Sequence, residues 1–131
     1  MVEATRLTEP EVPLETGWIT PGTTVIPYGT VSAVEDDLVD VMDKVVVDDW
    51  GQAGAGPLGA LRRHVDSGRL GRHNLHAELG EIVAGRAPGR ERPEERALFW
   101  HRGLATTDLA VAHLLLRRAA TAGLGTRLRY R

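Results

Sequence analysis

Lys44-Val45-Val46-Val47-Asp48-Asp49 is the stretch on which the fold class turns. Three consecutive β-branched residues without polar alternation read as a strand covered on both faces, the habit of a parallel sheet clothed by helices. Upstream, Thr23-Thr24-Val25-Ile26-Pro27-Tyr28-Gly29 reads as a second strand, closing at a glycine that marks a turn or a close backbone approach. Between them, Asp36 to Asp43 spaces Leu38, Val39, Val41 and Met42 helically behind an acidic start suited to the positive end of a helix dipole. Strand, helix and strand make a βαβ unit, which is right-handed in nearly every known case.

Downstream, the glycine-rich passage from Gly51 to Gly59 reads as a loop entering a helix through Leu58, Leu61 and Val65, with its exit at Gly68. Asn74 to Gly85 reads as another helix, Asn74 as its N-cap and Gly85 as its stop. Polar residues with two prolines follow to Glu95, and Ala97-Leu98-Phe99-Trp100 is a third strand. The longest element starts at Thr106 or Thr107 with Asp108 in its first turn, runs to Ala120 and ends at Gly123. A basic tail, Leu124 to Arg131, leaves Leu124, Leu128 and Tyr130 for packing. Residues 1–22, rich in Pro10, Pro13, Gly17, Pro21 and Gly22, read as turns and extended pieces anchored by Trp18-Ile19. The order β-α-β-α-α-β-α predicts an α/β domain with a thin, three-stranded sheet.

The 131 residues carry 42% hydrophobic and 26% charged residues, which is globular, but only 5% aromatics, so Val, Leu, Ile and Ala must build the core. A net charge of -2 offers no global field to gather nucleic acid or an anionic membrane. The local basic clusters, Arg86 to Arg102 and Arg117 to Arg131, read as solvated faces. Zero cysteines exclude disulfides, thiol catalysis and thiolate metal sites. The first residues have no apolar core of a signal peptide, and no apolar run approaches the ~20 residues a bilayer span needs, so a cytoplasmic protein is expected. His64, His73, His76 and His113 lack the mutual spacing of a metal site, and His113 reads as a core or interface residue.

Four segments resemble, in order, the ornithine cyclodeaminase/μ-crystallin family. His76-Ala77-Glu78-Leu79-Gly80-Glu81-Ile82-Val83-Ala84-Gly85 through Arg90 is similar to its AELGEVxxGxxxGR segment. Trp18-Ile19-Thr20-Pro21-Gly22 resembles its W-x-x-P-G lead-in, Val45-Val46-Val47-Asp48 its VVVD strand, and Gly103-Leu104-Ala105 to Asp108 its GxAxxD helix start. The resemblance covers only the family's C-terminal half. It implies a partial Rossmann-type domain, half of a doubly wound parallel sheet, over residues 23–103. A terminal helix and basic tail, 104–131, would return to a dimerisation and substrate domain. It also implies NAD or NADP as cofactor and hydride exchange at the carbon of an imine or amino acid, a small substrate.

The glycine-rich turn that cradles a pyrophosphate at a helix N-terminus has no counterpart here. Gly51, Gly54, Gly56 and Gly59 follow the wrong strand and lack an acidic ribose partner about 20 residues on. The family's carboxylate clamp also belongs to its absent N-terminal half. Cyclodeaminases carry an aspartate after the glycine that ends the first of these strands, where this chain has Thr30. Phe99-Trp100-His101-Arg102-Gly103 stands in place of patterns such as F-D-S-T-G. The resemblance therefore sets Gly29, Thr30, Asp48, His101 and Gly103 along the cofactor, and His101, Arg102 and Thr30 at the chemistry. His101 could shuttle a proton and Arg102 could pair with a carboxylate or phosphate; both also read as surface residues beside a strand end. Asp49 serves equally well as a helix cap.

Three readings follow. In the first, the chain is part of an NAD(P)-linked imine or amino-acid enzyme, completed by a chain or segment resembling the family's N-terminal half. In the second it is a non-catalytic, self-associating interaction module that docks through the terminal helix with Leu114, Leu115 and Leu116. In the third it is a small enzyme recruited to new chemistry around His101.

Overall fold

The computed structural model describes every residue except Arg6, Pro10, Pro57, Tyr130 and Arg131. The turn expected at Pro10 and the packing role expected of Tyr130 lie outside the described residues. Strands β1 (Val2–Glu3), β2 (Thr24–Pro27), β3 (Lys44–Val47), β4 (Ala77–Glu78) and β5 (Ala97–Trp100) form one sheet in the order β1-β2-β5-β3-β4. Every pairing is parallel, so the expected half-Rossmann α/β architecture is the one found. Among the described residues the sheet has five strands rather than three, because β1 and β4 are two residues each and too short to leave a periodic signal.

β3 is buried along its whole length, as its unbroken apolar run predicts. β2 and β5 alternate instead, with Val25, Leu98 and Trp100 fully buried on one face and Ile26 and Phe99 half-buried on the other. Burying each such aliphatic side chain contributes roughly 1.5–3 kcal/mol. The covered face carries Leu38, Leu61, Ala53 and Leu70 from the crossovers, and Leu14 and Ile19 from the N-terminal segment. Ile19 is thus an anchor as expected, whereas Trp18 is half exposed.

The crossovers differ in detail from the sequence reading. Asp36 to Asp43 makes only a 3-10 turn, Leu38–Val41. The glycine-rich passage is not a loop throughout, since Trp50–Ala55 is helix α1, capped by Asp49, whose side chain accepts from Gln52 N at 2.6 Å. Helix α2 is Arg62–Asp66. Asn74 does not cap a helix: its side chain closes the preceding turn through Gly71 N and Arg69 O. Strand β4 intervenes, and helix α3, Leu79–Val83, opens on a capping box between Glu78 and Glu81. At the amino edge of the sheet, Lys44 is buried with its ammonium on Gly89 O at 2.5 Å, Glu91 at 2.7 Å and Glu95 at 3.3 Å. The bond to Glu91 raises the Lys44 pKa above its usual value, and the Gly85–Glu95 stretch is thereby tied to the sheet.

The terminal helix α4, Ala105–Ala122, begins a residue or two before the expected caps and has no side-chain cap at Leu104. It ends at Gly123 in the left-handed conformation, φ 66°, as its glycine predicts. No residue of α4 is buried, including His113, which sequence reading assigns to a core or interface. No helix among the described residues is long and apolar enough to cross a membrane.

Candidate functional site at the carboxyl edge of the sheet

Strand register brings together residues that lie far apart in sequence. Val25 pairs with Leu98, and Trp100 with Val47, so the residues just past the strand ends, Tyr28, His101 and Asp48, fall in one row across β2, β5 and β3. Side chains in such a row project to one face, because neighbouring parallel strands share their pleat. The contacts follow: the His101 ring stacks at 5.5 Å on Tyr28 and at 5.5 Å on Phe99, two residues before it. Its other side meets Asp48, with Nδ1 3.2 Å from Oδ2. About a third of the His101 side chain, 36%, is exposed, while that of Asp48 is 1% exposed.

The Asp48 carboxylate organises the loop after β5. Its Oδ2 accepts from the backbone N–H groups of Arg102 at 2.7 Å and Gly103 at 2.8 Å, and its Oδ1 accepts from Asp49 N. Bonds to an ionised acceptor are the strong ones, and they fix the chain as it leaves the sheet. Gly103 then turns at φ 90°, with open space where a Cβ would stand. Asp48 is therefore too buried and too engaged to reach a ligand as a free carboxylate, and its influence runs through the loop it holds.

Arg102 points the other way. Its guanidinium lies over the Trp100 ring at 5.8 Å, donates to Gln52 O at 3.1 Å and lies close against Gly56. It belongs to the end of α1 and the loop following it, apart from the Tyr28–His101 stack. Gly29 donates to the buried Glu3 carboxylate at 3.3 Å, and a side chain there would meet that carboxylate at 2.9 Å. Thr30 is exposed, and its carbonyl accepts from Gly59 N at 2.9 Å. The structure thus gathers Gly29, Thr30, Asp48, His101 and Gly103 along one edge and sets Arg102 at its flank.

Two contributors escape sequence reading. Tyr28 shows its role only when the register between β2 and β5 is known, although its place at the end of a strand was a signal. Glu3 sits in a strand too short to recognise, and its carboxylate accepts from Thr5 N at 2.8 Å as well as from Gly29. Among the described residues no group of three or more His, Asp and Glu is arranged to hold a metal ion.

The family model for Ornithine cyclodeaminase/mu-crystallin matches residues 2–123. An alanine dehydrogenase of Archaeoglobus fulgidus is 33% identical over 99% of this chain, which spans 40% of that protein. An archaeal alanine dehydrogenase dimer with bound NAD superposes with TM-score 0.80 and 28% identity, over 99% of this chain and 41% of its own. A Thermococcus litoralis Delta(1)-pyrroline-2-carboxylate reductase, solved with NADH and L-proline, gives TM-score 0.79 and 32% identity, over 97% of this chain and 39% of its own. The chain thus spans about two fifths of these relatives' length. With the motifs, the parallel sheet and the family model agreeing over nearly the whole sequence, this chain belongs to the ornithine cyclodeaminase/mu-crystallin family.

Proposed function

We propose that this chain supplies the nicotinamide side of an NAD(P)-linked enzyme of imine or amino-acid chemistry, of the ketimine reductase rather than the cyclodeaminase kind. The observation that carries the reading is the row Tyr28–His101–Asp48 at the carboxyl ends of central parallel strands, where α/β folds place their ligands. Thr30, in place of the cyclodeaminase aspartate, argues against ornithine cyclisation. The protein acts in the cytoplasm on this reading.

The donor set fits one end of a dinucleotide. Tyr28, half exposed, and the partly exposed His101 ring put aromatic surface at this edge, and Gly103 leaves open space where any other residue would carry a Cβ. Gly29, Thr30, His101 and Gly103 would line the nicotinamide and its ribose. A bound nicotinamide supplies or receives a hydride at the substrate carbon. His101 holds a proton at Nε2 for the substrate nitrogen, and Arg102, from the flank, offers a guanidinium to a carboxylate or phosphate. The pyrophosphate turn and the carboxylate clamp come from outside these residues, on a segment or partner chain resembling the family's N-terminal half. In that division, 23–103 form the half-Rossmann domain, 1–22 lead into it, and 104–131 reach toward a dimerisation and substrate domain.

Native mass spectrometry on the protein isolated gently from its own cells tests this. The expected result is a complex, or a longer chain, carrying a dinucleotide together with family-like N-terminal sequence. A bare monomer or homodimer without nucleotide would refute it. One observation favours a second reading, a self-associating module without catalysis: α4 exposes Leu109, Leu114, Leu115 and Leu116 with nothing packed over them. A homodimer that loses its partner on Leu115→Glu and never binds NAD(P)H would establish that alternative.

A further inference from the structure

We infer that Asp48 is a positioning residue that holds His101 in one tautomer, with the proton on Nδ1 and Nε2 left free to work. The inference rests on the reading of His101 as the proton-handling group and adds the device that sets its direction.

The geometry begins with burial. Nδ1 of His101 is shielded from solvent and has no aligned hydrogen-bond partner, and the acceptor it faces is Asp48 Oδ2 at 3.2 Å. A buried ring nitrogen without a partner is uncommon, and the second nitrogen of a histidine sets the state of the first. Asp48 cannot turn aside to leave Nδ1 alone. Its Oδ2 is pinned by Arg102 N and Gly103 N, and its Oδ1 by Asp49 N. His101 cannot swing far either, since its ring is stacked on Tyr28 and on Phe99. A rotation of the ring between these aromatics would align Nδ1–H on the carboxylate.

The consequence is directional. With the Nδ1 proton committed to Asp48, protons enter and leave at Nε2 alone, on the part of the ring that keeps contact with solvent. When Nε2 gives its proton to a substrate nitrogen, the ring is left in the tautomer that Asp48 already favours. No internal proton exchange is then needed before the next proton arrives.

The test is 15N-detected NMR of the ring nitrogens in the full 131-residue chain, with the His101 signals assigned by their loss in His101→Gln. The wild-type neutral ring is expected to show Nδ1 protonated and Nε2 as the unprotonated, downfield nitrogen. Asp48→Ala is expected to exchange the two, returning the ring to the Nε2–H form that free imidazole side chains prefer. Asp48→Asn, whose oxygen can still occupy the position on which the N–H groups converge, is expected to keep the wild-type pattern. An Nε2–H tautomer in the wild type overturns the inference, even if Asp48→Ala fails to fold. A folded Asp48→Ala that retains Nδ1–H also overturns it. Because the readout needs neither dinucleotide nor turnover, absence of nucleotide binding defeats the functional reading alone, and a wrong tautomer defeats this inference alone.

Discussion

Gly59→Ala is the most demanding test of how the site's foundations are packed. Gly59 has φ 135°, a conformation that side chains resist, and an added Cβ would stand 2.7 Å from Cζ2 of Trp100 and 3.4 Å from its Cε2. Trp100 is fully buried and leads directly into His101, so it has little room to retreat. Backbone strain of this type costs about 1–3 kcal/mol, and overpacking a filled core costs about 1–3 kcal/mol more. Stiffening the unfolded chain returns about 0.4–1 kcal/mol. The net loss expected is about 1–6 kcal/mol, a large share of the stability of a small domain. Equilibrium urea unfolding followed by far-ultraviolet circular dichroism measures it. The steric part separates in a double-mutant cycle with Trp100→Phe, which removes Cζ2 and leaves the φ of residue 59 unchanged. A coupling of about 0.5–3 kcal/mol in favour of the double variant is expected for residues in contact. A neutral Gly59→Ala, or a coupling of zero, would refute the packing argument.

Other consequences are independent of that pair. Asp48→Ala orphans the Arg102 and Gly103 N–H groups, and at roughly 1–3 kcal/mol each it should cost about 2–6 kcal/mol, with fast hydrogen exchange at both amides. His64 is buried with Nε2 on Glu35 O at 3.0 Å, and burial lowers its pKa below the ordinary histidine value. The unfolded chain therefore binds the proton first on acidification. Stability should be complete above about pH 6.5 and fall as pH drops below that value toward the folded pKa, and His64→Leu should flatten this slope in pH-dependent unfolding. Leu115→Glu, on the exposed helix α4, should change the chain's own stability by less than about 0.5 kcal/mol yet weaken any association, read by sedimentation equilibrium. Lys44→Met should loosen the Gly85–Glu95 stretch, which Arg90 still ties to Gly22 O and Thr24 Oγ1, and limited proteolysis at Arg86 or Arg92 should accelerate.

Much of this fold is legible in the sequence. Val45-Val46-Val47 announced a strand buried on both faces, and a chain alternating such runs with helical spacing has few packings other than a parallel sheet. Gly123 announced the end of α4, because the left-handed turn it adopts strains every residue that bears a side chain. His101 and Arg102 stand out in the sequence because they interrupt the family's pattern at this strand end. Those conclusions depend on local chemistry, and local chemistry is written in order along the chain.

Tertiary structure decided the rest. β1 and β4 exist because a neighbouring edge accepts them, Val2 against Ile26 and Ala77 against Val46, and two residues carry no period of their own. Helix α1 forms in a passage whose glycines disfavour it, because Asp49 caps it and Trp50 N finds Glu78 at 3.2 Å. Most of all, the meeting of Tyr28, His101 and Asp48 is a matter of strand order and register. β5 enters between β2 and β3 although it follows both in sequence, and a shift of one residue would turn His101 to the opposite face. The sequence names the groups that can do the chemistry; the long-range pairing of backbones determines which of them touch.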